Sequence, residues 1–199
     1  MQVGADGPAV SARRDEILAI AAELFAEKGF ATATVREIAD TAGILSGSLY
    51  HHFDSKESMV DEILRTLLDD VLGRYRAAVA AGRDPAKTLR ELVRAAFSAL
   101  GSHRAAVAVM INEYNLLVQY PRFEYLRAGA DETEQLWAGV VEDGIADGTF
   151  RSDIDPHMIY RFMRDAIWVS VRWYQPDGRY SPEEIADLYL DVLLDGIAA

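Results

Sequence analysis

The chain has 199 residues, 50% hydrophobic and 26% charged, which is the balance of one or two soluble globular domains. Cysteine is absent, so neither a disulfide framework nor a Cys-based zinc site is available, and a reducing cytoplasm is the expected setting. With 32 acidic against 20 basic residues the net charge is −12, so composition lends no support to nucleic-acid binding, and only a local motif could carry that function. No apolar run is long enough to span a bilayer, so no membrane partner is expected. The opening MQVGADGPAVSARRDE has no apolar core after a basic start and is no signal peptide. Residues 1–10 read as a disordered leader.

Apolar residues then recur at spacings of three and four, which predicts an all-α chain with no sheet. A first helix is expected over 13–28, with Ile17, Leu18, Ala21, Leu24 and Phe25 on one stripe and Gly29 as its stop. Thr34 and Glu37 form a capping box for a short helix that ends before Gly43. Another short helix begins near Ser46 and ends near His52 or Phe53. Ser55 caps a long helix over 56–81, whose inward face runs from Met59 to Val71. Asp84-Pro85, Asp155-Pro156 and Ser181-Pro182 each put a capping side chain before a proline at the first helical position. Further helices follow at about 85–101, 103–119, 122–147, 156–175 and 182–197. A small domain over 11–70 and a larger one over 71–199 would meet inside the long helix.

Residues 34–53, TVREIADTAGILSGSLYHHF, have the order of a helix-turn-helix. Val35, Ile38 and Ala39 face inward, Gly43 allows the sharp turn, Ile44 plugs the corner, and Leu49 and Phe53 seat the second helix. Ser46, Gly47, Ser48, Tyr50 and His51 are left pointing outward. Small residues there let a helix approach base edges, and hydroxyls beside a helix start suit a backbone phosphate. Lys56 adds a local cation, and Thr34 and Arg36 open the helix that would cross the DNA backbone. The same spacing also fits an ordinary solvated helical corner. His51 and His52 point about 100° apart and have no third ligand at suitable spacing, so no metal site is assigned.

The stretch GILSGSLYHHFDSKESMVDEIL, with the upstream R-x-x-I-L-x-x-A-x-x-L-F pattern and the Gly-Phe pair ending at Phe30, resembles the TetR family of transcriptional repressors over roughly the first 70 residues. That resemblance implies an N-terminal three-helix DNA-binding domain and a C-terminal helical domain that dimerises and binds an effector.

In the C-terminal region, a helix over 156–175 would gather His157, Arg161, Arg164, Trp168 and Arg172 on one face and Ile159, Phe162, Ala166, Val169 and Trp173 opposite. The arginine face fits either a pocket gripping ligand oxygens or interhelical salt bridges to Glu113, Asp143 or Asp165. The runs QYPRFEYLR (119–127) and YRFMRDAIWVSVRWYQPDG (160–178) further resemble actinobacterial KstR-type ketosteroid repressors. This implies an inducer that is an acyl-CoA thioester of a steroid-derived bicyclic ring, and control of steroid (cholesterol) catabolism genes. Arg164, Trp168 and Arg172 are carried over as effector residues, with Arg161, Tyr114 and Tyr120 as further candidates.

A dimer is expected through helices 156–175 and 182–197, the latter carrying a stripe of Ile185, Leu188, Tyr189, Val192 and Leu193, because a palindromic operator needs a two-fold partner. Inducer binding would then release the double-stranded operator. No Ser/His/Asp or Cys/His constellation, phosphate loop or cofactor motif is present, so an acyl-CoA-processing enzyme is disfavoured and no catalytic residue or cofactor is assigned. A repressor sensing another acyl-CoA or a hydrophobic drug stays open, as does a helical adaptor.

Overall fold

The structure, a computed structural model, describes residues 8–198, with side chains from residue 12 onward. The all-α expectation holds: nine α-helices are described, and the β contacts among the described residues reduce to a single isolated bridge between Phe150 and Ala198. They are α1 (Pro8–Lys28), α2 (Val35–Thr41), α3 (Ser46–Leu49), α4 (Lys56–Ala81), α5 (Pro85–Ser102), α6 (Arg104–Leu117), α7 (Tyr125–Ala146), α8 (Pro156–Val169) and α9 (Pro182–Ile197). The start of α1 corrects the leader: residues 8–10 are already helical, with a proline at the first helical position, where its missing N–H is not needed. Residues 1–7 of that leader lie outside the described residues.

α1, α2, α3 and the first half of α4 enclose one small core in which Ile17, Phe25, Ile38, Leu49, Met59 and Leu64 are fully buried. Arg14 clamps α1 to α4 by a fork on the Glu62 carboxylate and lies 4.5 Å from the centre of the Phe53 ring. The capping box forms as expected: the Thr34 hydroxyl accepts the Glu37 N–H at 3.2 Å, and the Glu37 carboxylate accepts the Thr34 N–H at 2.9 Å. A hydrogen bond from Lys28, then the Thr34 N–H and hydroxyl, hold the Glu37 carboxyl down at about 2.

The rest of α4 runs on into the larger body, so the two halves share a stiff helix. There α9 lies along α5, while α7 packs on α4, α5 and α8. Asp84, Asp155 and Ser181 cap their helices as expected, accepting the N–H groups of Lys87, Met158 and Glu184.

Two expected helices end early. The recognition segment is α-helical only over Ser46–Leu49, after which tighter turns bond His51 N–H to Ser48 and His52 N–H to Leu49. Likewise α8 stops at Val169 and tightens into a 3₁₀ turn over Ser170–Arg172, where the buried Ser170 hydroxyl is bonded back to the Ile167 carbonyl. No helix among the described residues is long and apolar enough to cross a membrane.

Candidate functional site

The turn between α2 and α3 is built on Gly43, whose φ of +67° only glycine adopts without strain. Its N–H donates to the Asp40 carbonyl and that of Ile44 to Ala39, folding the second helix back across the first. Leu49 and Phe53 are buried beneath it. Gly47, Tyr50 and His51 are exposed, Ser46 and Ser48 half-buried, and no atom lies within 4 Å of where a Gly47 side chain would begin. Thr34 and Arg36 are exposed at the start of α2; the Arg36 side chain keeps 85% of its surface, with Asp40 at 3.7 Å.

Lys56 is put to another use than the sequence reading gave it. Its ammonium donates to the Phe30 and Ala33 carbonyls at 2.6 and 3.0 Å and lies 4.5 Å from the Phe30 ring centre. Its charge closes the loop between α1 and α2 instead of standing free for a phosphate. The sequence reading also passed over Leu45, which precedes α3, is 79% exposed and caps nothing. The available signal was a leucine standing where a helix start favours Ser, Thr, Asp or Asn.

Arg164, Trp168 and Tyr114 come together on the wall of a cavity of about 530 Å³ between α4, α6, α7 and α8. Arg161, Arg172 and Tyr120 do not line it. Arg161 and Tyr120 are exposed, and Arg172 lies exposed at the end of the 3₁₀ turn that follows α8. Leu67, Val71, Val107 and Leu126 supply apolar wall, and Asp131, Glu134 and Asp165 supply carboxylates that the sequence reading did not place there. Nor did it see Tyr75 and Tyr160, because a lining shared by four helices has no linear signature. Asp165, at 2.8 Å, is the ion-pair partner of Arg164; Glu113 is engaged elsewhere. Burial pulls the Arg164 guanidinium down, but Asp165 and Tyr160 together outweigh it and hold the group above its ordinary value, firmly charged.

α6 connects this cavity to the small domain. Met110, Ile111 and Tyr114 line the cavity, and Glu113 on the same helix accepts the Phe30 N–H at 3.0 Å, beyond the end of α1. A wider groove of about 890 Å³ follows α4 and α5. It is floored by alanines, holds no aromatic ring, and its Arg74, Lys87 and Arg94 are paired with Asp70, Asp84 and Asp187, so the smaller cavity is the better effector site. Among the described residues no group of three or more His, Asp or Glu side chains is placed to hold a metal ion.

On α8 the inward residues are Tyr160, Met163 and Ile167. The apolar face read from the sequence divides: Ile159 is half-buried against the core, while Phe162, Ala166, Val169 and Trp173 are exposed in the single chain, with Met158 and, on α9, Leu188 and Val192 also uncovered.

Known proteins align with both halves. Residues 17–63 match the family model described as bacterial regulatory proteins, tetR family, and residues 82–197 that of the tetracyclin repressor-like C-terminal domain. The transcriptional repressor KstR2 of Rhodococcus jostii is 54% identical, covering 95% of this chain and 93% of its own. KstR2 of Mycobacterium tuberculosis is 46% identical over 94% of each. The structure of the ketosteroid transcriptional regulator KstR2 of M. tuberculosis superposes with a TM-score of 0.92 at 44% identity, covering 100% of this chain and 97% of that one.

Proposed function

Because the chain belongs to the TetR family of ligand-controlled transcriptional repressors and not to an enzyme family, we propose that it is a cytoplasmic repressor that grips a palindromic operator as a homodimer and lets go on binding an acyl-CoA thioester of a steroid-derived ring. The reading rests above all on the α6 connection: one helix lines the cavity and grips the end of α1. In this mechanism Ser46, Gly47, Ser48, Tyr50 and His51 enter the major groove, with Leu45 beside them and Thr34 and Arg36 on the phosphates. The acyl body fills the apolar cavity against Trp168, Arg164 bonds the oxygens, and the CoA chain leaves past the solvent-facing Arg164 and Val169. The thioester acts as effector, not cofactor. Displacement of α6 then tilts the small domain, and the two recognition helices lose the separation of about 34–36 Å that successive major grooves require.

The test is binding of the full-length protein to its own promoter DNA, with and without such thioesters. The expected result is release by the thioester, and loss of that release in Arg164→Met with DNA binding retained. DNA binding that no thioester relieves would sink the proposed inducer. One observation favours a second reading. Asp131, Glu134 and Asp165 around aromatic rings would also suit a hydrophobic cation, and release by a cationic dye in place of the thioester would establish it.

A further inference from the structure

Tyr75, on α4, lines the cavity and is only 1% exposed. Its hydroxyl has no hydrogen-bond partner among the described residues. A buried hydroxyl without a partner costs stability, and phenylalanine would fill the same volume without that cost. The ring is itself well held. Trp137 meets it edge-on at 5.4 Å between centroids, and Tyr160 continues the cluster 6.4 Å from Trp137. The Trp137 indole N–H is also buried without a partner. Trp137 itself does not line the cavity, so Tyr75 is the lining residue whose buried donor has nothing among the described residues to receive it. Burial pushes the Tyr75 phenol above its ordinary value, so it keeps its proton.

The charge around it selects the kind of acceptor. Three carboxylates, Asp131, Glu134 and Asp165, line the cavity against the single guanidinium of Arg164, which is already paired with Asp165. An anionic head entering this space meets an excess of like charge, while a neutral carbonyl meets none. We propose that the Tyr75 hydroxyl is the inner recognition point of the cavity, donating a hydrogen bond to a neutral carbonyl oxygen, a ketone or thioester, on the apolar body of the effector. This rests on reading the cavity as the effector site, but it does not depend on the effector being a CoA derivative.

The experiment uses small rings that carry no CoA. Binding of 1-indanone, indane and indane-1-carboxylate to the full-length wild-type protein and to Tyr75→Phe is measured by ligand-observed NMR. Wild type should bind indanone about fivefold more tightly than indane, a typical net hydrogen-bond contribution, and the carboxylate most weakly. Tyr75→Phe should bind indanone and indane equally and melt at a higher temperature, since it removes an unpartnered buried hydroxyl. A merely structural hydroxyl would lower the melting temperature and leave the ligand preference alone. If wild type shows no preference for the ketone, or Tyr75→Phe keeps it, the assignment of Tyr75 is wrong while the cavity reading stands. If none of the three rings binds, the cavity reading fails and takes this assignment with it.

Discussion

The Lys56 ammonium reaches the Phe30 and Ala33 carbonyls and the face of the Phe30 ring, while the Arg36 guanidinium in the same small domain stands almost wholly in solvent. The two cations should therefore answer different measurements. Removing Lys56 leaves carbonyls at the α1–α2 loop without their charged donor, at a cost of about 1–3 kcal/mol. Each phosphate contact contributes about 0.9 to the slope of log affinity against log salt. Lys56→Met is expected to lower the unfolding midpoint and leave that slope unchanged. Arg36→Ala is expected to leave the midpoint alone and flatten the slope by about two units in a dimer, one contact per subunit. Denaturation curves and an operator titration at several salt concentrations give both readouts, and a flattened slope in Lys56→Met would return that lysine to the phosphates. The difference could not be seen in the sequence, because Lys56 meets its partners across the fold. Thr34 and Glu37 could be paired from the sequence because capping is local.

Helix starts were legible for that same reason: Asp84, Asp155 and Ser181 each cap the element that follows. Some ends were not. The three-and-four periodicity of 156–175 continues through Trp173, yet α8 closes at Val169, where the chain tightens into a 3₁₀ turn and the buried Ser170 hydroxyl donates to the Ile167 carbonyl, so Arg172 falls outside the helix. The cavity was half legible: Arg164 and Trp168 lie four apart on one helix, whereas Tyr75 and Glu134 join them only through packing. α6 bears the clearest consequence at this scale. Glu113 accepts the Phe30 N–H three residues from Met110 and one from Tyr114, so displacement of those cavity residues is felt directly at the end of α1. Glu113→Ala should change operator affinity and effector affinity, each measured alone, by only a few-fold. It should reduce the factor by which saturating effector weakens operator binding. By linkage, the factor by which operator weakens effector binding must shrink equally. An undiminished factor would show that coupling bypasses this contact, for example along α4.

The whole molecule carries a charge of −12, so a dimer brings together two like-charged bodies and sets them on a polyanion. Something short-ranged must outweigh that repulsion. The exposed apolar residues of α8, α9 and the turn after α8 are the available source: Phe162 and Val169 on α8, Trp173 just beyond it, and Leu188 and Val192 on α9. Large apolar side chains left exposed on the two helices expected to dimerise make these helices the candidate interface. The stripe read from the sequence on α9 divides in two. Tyr189 turns inward to Phe97, 5.8 Å between ring centroids, with Ile185 and Leu193 half-buried beside the core, while Leu188 and Val192 face outward. Replacing Phe162 and Val192 together by Glu adds four charges to a symmetric interface and touches no fully buried residue. The variant should keep its helical circular dichroism and sediment as a monomer. It should lose operator affinity by more than about a hundredfold, since one recognition helix then holds one half-site without its partner. Low salt should strengthen the binding that remains at one half-site without restoring the contribution of the second. A monomer that still binds full operator tightly would show that two-fold symmetry is not what sets affinity. A variant that stays dimeric would move the interface to another face.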